Sequence, residues 1–241
     1  MCGLFGFSGK GRSRPDQDIL RDIAVNARRR GTDAFGVVWL NRSTGEHSSY
    51  KTVREDHGSI QQGLDLADSN DLIIGHARLA TCGDPKSLLE AHPFQRENVS
   101  LAHNGWVMGH RERAQELGLK LTTGCDSELL AAAASQCKGD FHERAQAAVN
   151  AALPYPFAML MMVDDRAFAF RSRNPLVALE NEEGVYLCST PWARGQKFTT
   201  HGRAPAGGFV ELAPFTLYEI TDGKLVKIAT LEEKLVPMQS W

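Results

Sequence analysis

The chain has almost no imbalance of charge: 27 Lys and Arg stand against 29 Asp and Glu, a net charge of -2 over 241 residues. This lacks the electrostatic footprint of a protein that binds nucleic acid or an anionic membrane surface. The longest basic run, Arg28-Arg29-Arg30, is too short to supply one. Long apolar runs are missing as well. No segment approaches the ~20 apolar residues of a membrane-spanning helix, and the apolar start at Met1 to Phe7 has no basic region before it, so it does not read as a secretory signal. Cysteine is sparse: five residues, at 2, 82, 125, 137 and 188, with no CxxC pair. An odd, scattered set fits free thiols in a reducing, cytoplasmic compartment and excludes a disulfide scaffold. Repeats and low-complexity linkers are absent. A Walker-type phosphate loop also fails, because Gly9-Lys10 has no glycine five residues before it and Gly11 follows the lysine.

What remains is an ordinary globular composition, 42% apolar and 23% charged, long enough to bury a substantial core and expected to be one continuous domain over residues 1–241. Met1 to Phe7 reads as a buried strand, followed by a loop over 8–14. Ser13 with Asp16 three positions on fits a helix start, and apolar residues from Ile19 to Ala27 recur at helical spacing, predicting a helix over 15–29. Strands are expected at 35–40, 49–53, 72–78 and 99–103, the last entering an Asn104-Gly105 turn. Helices are expected at 58–67, 110–117, 126–137 and 140–152. Beyond Pro156 the pattern becomes a succession of short strands, with turns at Asp164-Asp165 and Asp222-Gly223. Many antiparallel strands and a few longer helices predict an α+β layered domain.

Cys2 carries the first chemical signal. If Met1 is removed, Cys2 becomes the N-terminal residue, with a thiol and a free α-amine one residue wide. The amine titrates near ~7.7–8.0 and can serve as the base that a thiol nucleophile needs. Alone, a cysteine at this position is equally well a small buried apolar residue. Further along come Arg30-Gly31-x-Asp33, Gly75-His76-x-Arg78-x-x-Thr81, Ala91-His92-Pro93-Phe94, His103-Asn104-Gly105 and Asp126-Ser127-Glu128. Each has a structural explanation: a solvated arginine, a turn dipeptide, an aspartate capping the helix at 126.

As an ordered set behind Cys2-Gly3-Leu4-Phe5-Gly6, these motifs resemble the class II glutamine amidotransferase domain, an N-terminal-nucleophile (Ntn) glutaminase. The resemblance covers nearly the whole chain, including Leu187 to Thr190 and a closing hairpin at 208–228. It implies a four-layer αββα sandwich of two antiparallel sheets. It also implies that Cys2 attacks the side-chain amide of L-glutamine to form a γ-glutamyl thioester and release ammonia. Asn104 and Gly105 would hold the oxyanion, Arg78 and Thr81 the α-carboxylate, and Asp126 the α-ammonium. Arg30 and Gly31, with Asp33, would support the N-terminal cysteine, and His76, His92 and His103 would be structural or would support the site from behind the substrate-binding residues. No cofactor is implied, and a metal site from Cys82, Cys125 and nearby histidines is not expected, for want of a short ligand pair.

Two departures stand out. Leu79 follows Arg78 where relatives often carry an aromatic residue, and Cys82 and Cys125 flank expected substrate residues. Larger members append a synthase domain, so the length of this chain implies a separate ammonia-accepting synthetase as partner. Two alternatives remain at this stage: a γ-glutamyl amide hydrolase acting on peptides or thiol conjugates, and a non-catalytic scaffold that keeps Met1.

Overall fold

The apolar N-terminal run forms β1 (Gly3–Gly9), and its lack of polar alternation has a simple cause: the strand is covered on both faces. A computed structural model describes residues 2–53, 57–191 and 208–232. In it β1 lies between β4 (Leu72–Arg78) and β10 (Gly184–Cys188). Together with β2 (Ala34–Asn41), β3 (Glu46–Thr52), β9 (Val177–Glu180) and β11 (Val210–Glu211), these make a seven-stranded sheet in the order β11-β9-β10-β1-β4-β2-β3. A second sheet has six strands in the order β13-β12-β8-β7-β6-β5. These are β5 (Phe94–Arg96), β6 (Val99–Gly105), β7 (Phe157–Val163), β8 (Arg166–Arg171), β12 (Thr216–Thr221) and β13 (Lys224–Thr230). Every described pairing is antiparallel.

Three apolar clusters define four layers. Leu4, Val38 and Ile74 of the first sheet face Ala102, Leu160 and Met162 of the second. On the outer face of the first sheet, Phe5, Phe7 and Ile73 pack with Leu20 and Ile23 of α1 (Gln17–Arg30) and Leu64 of α2 (His57–Ala67). On the outer face of the second, Leu101, Met159 and Phe168 pack with Leu129 of α4 (Ser127–Gln136) and Val149 of α5 (Phe141–Ala152). A shorter helix, α3 (His110–Glu116), precedes them. The fold is the expected α+β sandwich, α-β-β-α. No helix among the described residues is long and apolar enough to cross a membrane.

Local expectations fail in three informative places. Asp16, not Ser13, caps α1: its carboxylate accepts from the Asp18 and Ile19 amides at 2.9 and 3.0 Å, the standard role of an N-cap. Asn104-Gly105 is not a turn. Both residues stay in β6, paired with Ala158 and Phe157, because β7 continues the ladder past them. A short strand, β5, occupies the region read as the end of a loop, paired with β6 through Phe94 and Leu101. The hairpin at Asp222-Gly223 is as expected: positive φ at both residues (47° and 68°) matches the primed turn that joins twisted antiparallel strands.

Candidate functional site

Strand alternation gathers the site. In β6, Ala102 faces the other sheet, so by the two-residue period Asn104 does too. In β4, Leu72 and Ile74 face inward, which carries His76 and Arg78 to the same face. In β1, Leu4 faces inward, and therefore Cys2 does as well. The β1–β4 register pairs Gly3 with Ala77, and continued by one residue it sets Cys2 opposite Arg78. Cys2, Arg78 and Asn104 thus converge at one end of the inter-sheet layer.

A narrow cleft opens there, and Cys2, Arg78, Thr81, His103, Gly105 and Asp126 are among its walls. Cys2 is 8% exposed. Its sulfur lies 3.3 Å from both the amide nitrogen and the carbonyl oxygen of Leu79, so it accepts from one and donates to the other. Burial pushes the thiol pKa up, against the lowering effect of the Leu79 amide and of Arg78. The thiol is therefore protonated at rest and needs a base. Arg30 holds the main chain beside the thiol. Its Nε donates to the Cys2 carbonyl at 2.8 Å and its guanidinium to Thr190 Oγ1 at 2.9 Å, fixing the main chain at the nucleophile. Gly31 follows because a Cβ there would lie 2.1 Å from the Ala77 carbonyl oxygen. Asp33 ties down the chain after β4: its carboxylate accepts from the Ala80 amide at 2.7 Å, and its own amide donates to the Arg78 carbonyl at 2.9 Å.

Asp126 settles one choice left open by the sequence. It occupies the N-cap position of α4, yet its side chain caps nothing. Oδ2 instead accepts from the Val107 amide at 2.6 Å, and Oδ1 faces Cys82 Sγ at 3.3 Å. The carboxylate is 2% exposed and directed toward the cavity walls. Asn104 is similarly placed. Its carbonyl accepts from Asn174 Nδ2 at 2.7 Å, while its own buried side-chain nitrogen has no hydrogen-bond partner among the described residues. Such a donor is costly to bury unless something else uses it. Gly105 cannot carry a side chain, since a Cβ would sit 2.6 Å from both His103 Nε2 and Phe157 Cβ. Thr81 is exposed at the mouth.

Arg78 is less free than expected. Its terminal nitrogens donate to the Asp84 and Cys82 carbonyls at 2.9 and 2.7 Å and reach Glu90 at 3.3 Å. Glu90 also accepts from the Asp84 amide at 2.5 Å and the Gly124 amide at 2.8 Å, so this buried carboxylate joins Arg78, the loop after it and the chain before α4. Nothing in the Leu88-Leu89-Glu90 string signals that role. We expect Glu90→Ala to leave a buried charge unpaired and lower stability by about 3–5 kcal/mol, with a raised KM for substrate. Glu90→Gln should recover part of both, as read by urea unfolding and steady-state kinetics. Glu128, present in the Asp126-Ser127-Glu128 motif but given no role from sequence, holds the preceding loop by accepting from the amides and hydroxyls of Thr122 and Thr123 at 2.7–2.9 Å. Burial opposes its ionisation, but these donors prevail and its pKa falls below the ordinary value.

The three motif histidines form one buried group. His76 Nε2 contacts the His103 carbonyl at 2.9 Å, the His76 and His92 rings stack at 4.1 Å, and His103 Nδ1 meets Ser127 Oγ at 2.8 Å. Desolvation lowers all three pKa values, His76 to about 3, so they are neutral.

The geometry can be set beside known proteins. No protein-family model matches the chain. Over 206 residues it is 25% identical to glutamine–fructose-6-phosphate aminotransferase (isomerizing) of Helicobacter pylori, covering 79% of this chain and 32% of that protein. The same enzyme of Vibrio vulnificus is 30% identical over 141 residues, 54% of this chain and 21% of its own length. The chain thus spans between about a fifth and a third of these curated relatives. Among solved structures, the glutamine phosphoribosylpyrophosphate amidotransferase of B. subtilis superposes with a TM-score of 0.71 at 19% identity, over 95% of this chain and 49% of that one. A glutamine aminotransferase class-II domain protein from Silicibacter pomeroyi gives 0.62 at 14% identity, over 96% of this chain and 100% of that one. The fold is therefore that of the Ntn-type amidotransferases. Over four fifths of its length the chain is thus similar in sequence to glutamine-dependent aminotransferases, and it shares its fold with a glutamine aminotransferase class-II domain protein.

Proposed function

We propose that the chain is a glutaminase domain in which Cys2, freed of Met1, cleaves the side-chain amide of L-glutamine. Met1 itself lies outside the described residues. The supporting observation is the content of one cleft: a buried thiol, a buried cation, a buried anion and, behind it, an amide donor with no partner among the described residues. Glutamine is a zwitterion carrying a carboxamide, and each of its groups has a counterpart. The Asp126 carboxylate takes the α-ammonium. Arg78 takes the α-carboxylate by exchanging its hydrogen bond to the Asp84 carbonyl for the ligand, which makes the 82–90 loop the adjustable wall.

The Cys2 α-amine removes the thiol proton, directly or through one water, and sulfur attacks the carboxamide carbon. The Asn104 side-chain nitrogen and the Gly105 amide stabilise the oxyanion. Its collapse expels ammonia, protonated by the same amine, and leaves a γ-glutamyl thioester that water hydrolyses to glutamate. Ammonia then passes to an acceptor site on a separate synthetase subunit. Asn104→Ala should lower kcat by ~10²–10³ with little change in KM, the pattern for a donor used in the transition state. The reading is tested by assaying glutamate release from glutamine and from γ-glutamyl dipeptides. Preferential turnover of glutamine supports it, and preferential turnover of the dipeptides replaces it with a γ-glutamyl amide hydrolase.

A further inference from the structure

Cys82 and Cys125 are far apart in the sequence, but the fold brings both sulfurs to one carboxylate oxygen. Cys82 Sγ lies 3.3 Å from Asp126 Oδ1 and Cys125 Sγ 3.7 Å from the same atom. The three atoms all fall within 4.8 Å of one another. A tetrahedral zinc ion with Zn–S of about 2.3 Å and Zn–O of about 2.0–2.2 Å has S···O edges of roughly 3.5 Å. The two S···O separations already bracket that value, before any ion arrives.

We propose that Cys82, Cys125 and Asp126 form a binding site for a thiophilic divalent cation of the zinc type, with its fourth position open to the cavity. Two thiolates and a carboxylate select soft and borderline ions over magnesium or calcium. The ligands are held in advance: Asp126 Oδ2 by the Val107 amide at 2.6 Å, and the Cys82 main chain by Arg78 at 2.7 Å. Cys125 is buried and Cys82 only partly so, which leaves the ion an approach along the Cys82 side, and all three residues line the cavity. The positive charge of Arg78 is balanced by Glu90 and does not oppose entry alone. Binding converts two thiols to thiolates and releases two protons to solvent, with no change of oxidation state.

The ion occupies Asp126 Oδ1 and so removes an acceptor that the α-ammonium of glutamine would use. The site is therefore inhibitory and competitive with substrate. That second half rests on the proposed role of Asp126, whereas the binding itself does not.

Cobalt(II) is the probe, added to the full chain carrying Cys2→Ala so that the nucleophile cannot contribute. One equivalent should produce thiolate-to-cobalt charge transfer in the near ultraviolet and tetrahedral visible bands, with stoichiometric displacement by Zn²⁺. Adding Cys82→Ala should weaken binding by at least roughly 100-fold, and Cys125→Ala should act alike, with unchanged circular dichroism as the folding control. Absence of the charge-transfer band, or its survival in the Cys82→Ala variant, overturns the site. With Cys2 intact, Zn²⁺ should raise KM for glutamine without lowering kcat, and a fall in kcat alone overturns the competition. A chain without any glutaminase activity contradicts the proposed function and leaves the cobalt spectrum to decide the metal site.

Discussion

Cys2→Ser should lower glutamine hydrolysis by at least ~10⁴-fold while leaving the thermal unfolding curve within about a degree or two of the parent. The argument starts from burial. Desolvation holds the Cys2 thiol above its ordinary pKa, so the resting group is neutral and its reactivity depends on a base one residue away. A serine hydroxyl at the same place is a far weaker acid, and that amine cannot ionise it usefully. The fold has no comparable stake in sulfur: the site makes two long contacts to the Leu79 main chain, which a hydroxyl can approximate. Kinetics and a melting curve on the same preparation check both halves. Retention of parental turnover would transfer the nucleophile to another residue.

The second large effect is a loss of stability in mild acid. His76, His92 and His103 are buried and neutral, with folded-state pKa values below the ordinary ~6.5. The unfolded chain binds protons at these positions in a range where the folded one does not, so stability is complete above about pH 6.5 and declines as the pH falls. His76, lowered to about 3, contributes by itself roughly 2 kcal/mol of loss between pH 8 and pH 5. The other two act with the same sign. Glu128 adds to the decline only lower, once the pH passes beneath the usual carboxylate range. Urea midpoints at pH 8, 6 and 5 should fall progressively, and a flat profile would mean that all three histidines titrate alike in the folded and unfolded chain.

Much of this site was legible in the sequence, for identifiable reasons. Cys2, Arg78, Asn104, Gly105 and Asp126 sit at strand or helix ends, where motif spacing reflects a shared edge, and the structure does bring them to one place. The αββα layering followed from the same resemblance. What escaped detection depends on long-range contacts. Asp126 at a helix start looks identical in sequence whether it caps α4 or turns to the Val107 amide. Glu90 reads as a loop acid until Arg78 and Gly124 are seen on either side of it. Leu79 contributes main-chain groups, which no residue type announces. Asn104-Gly105 carries the strongest turn signature in the chain, but β7 pairs across it and overrides the local preference. The nearness of Cys82 and Cys125 was hidden too, because the loop after β4 and the chain before α4 meet only in the folded state.

The central claim is that Cys2 is the group that becomes acylated, at the start of a chain from which Met1 has been removed. Treatment with an electrophilic glutamine analogue, followed by peptide mass spectrometry, tests it most directly. The account predicts a single adduct, on the sulfur of a peptide that begins at Cys2, and its suppression by excess glutamine. An adduct on Cys82 or Cys125 in its place, or on a peptide that retains Met1, would contradict it.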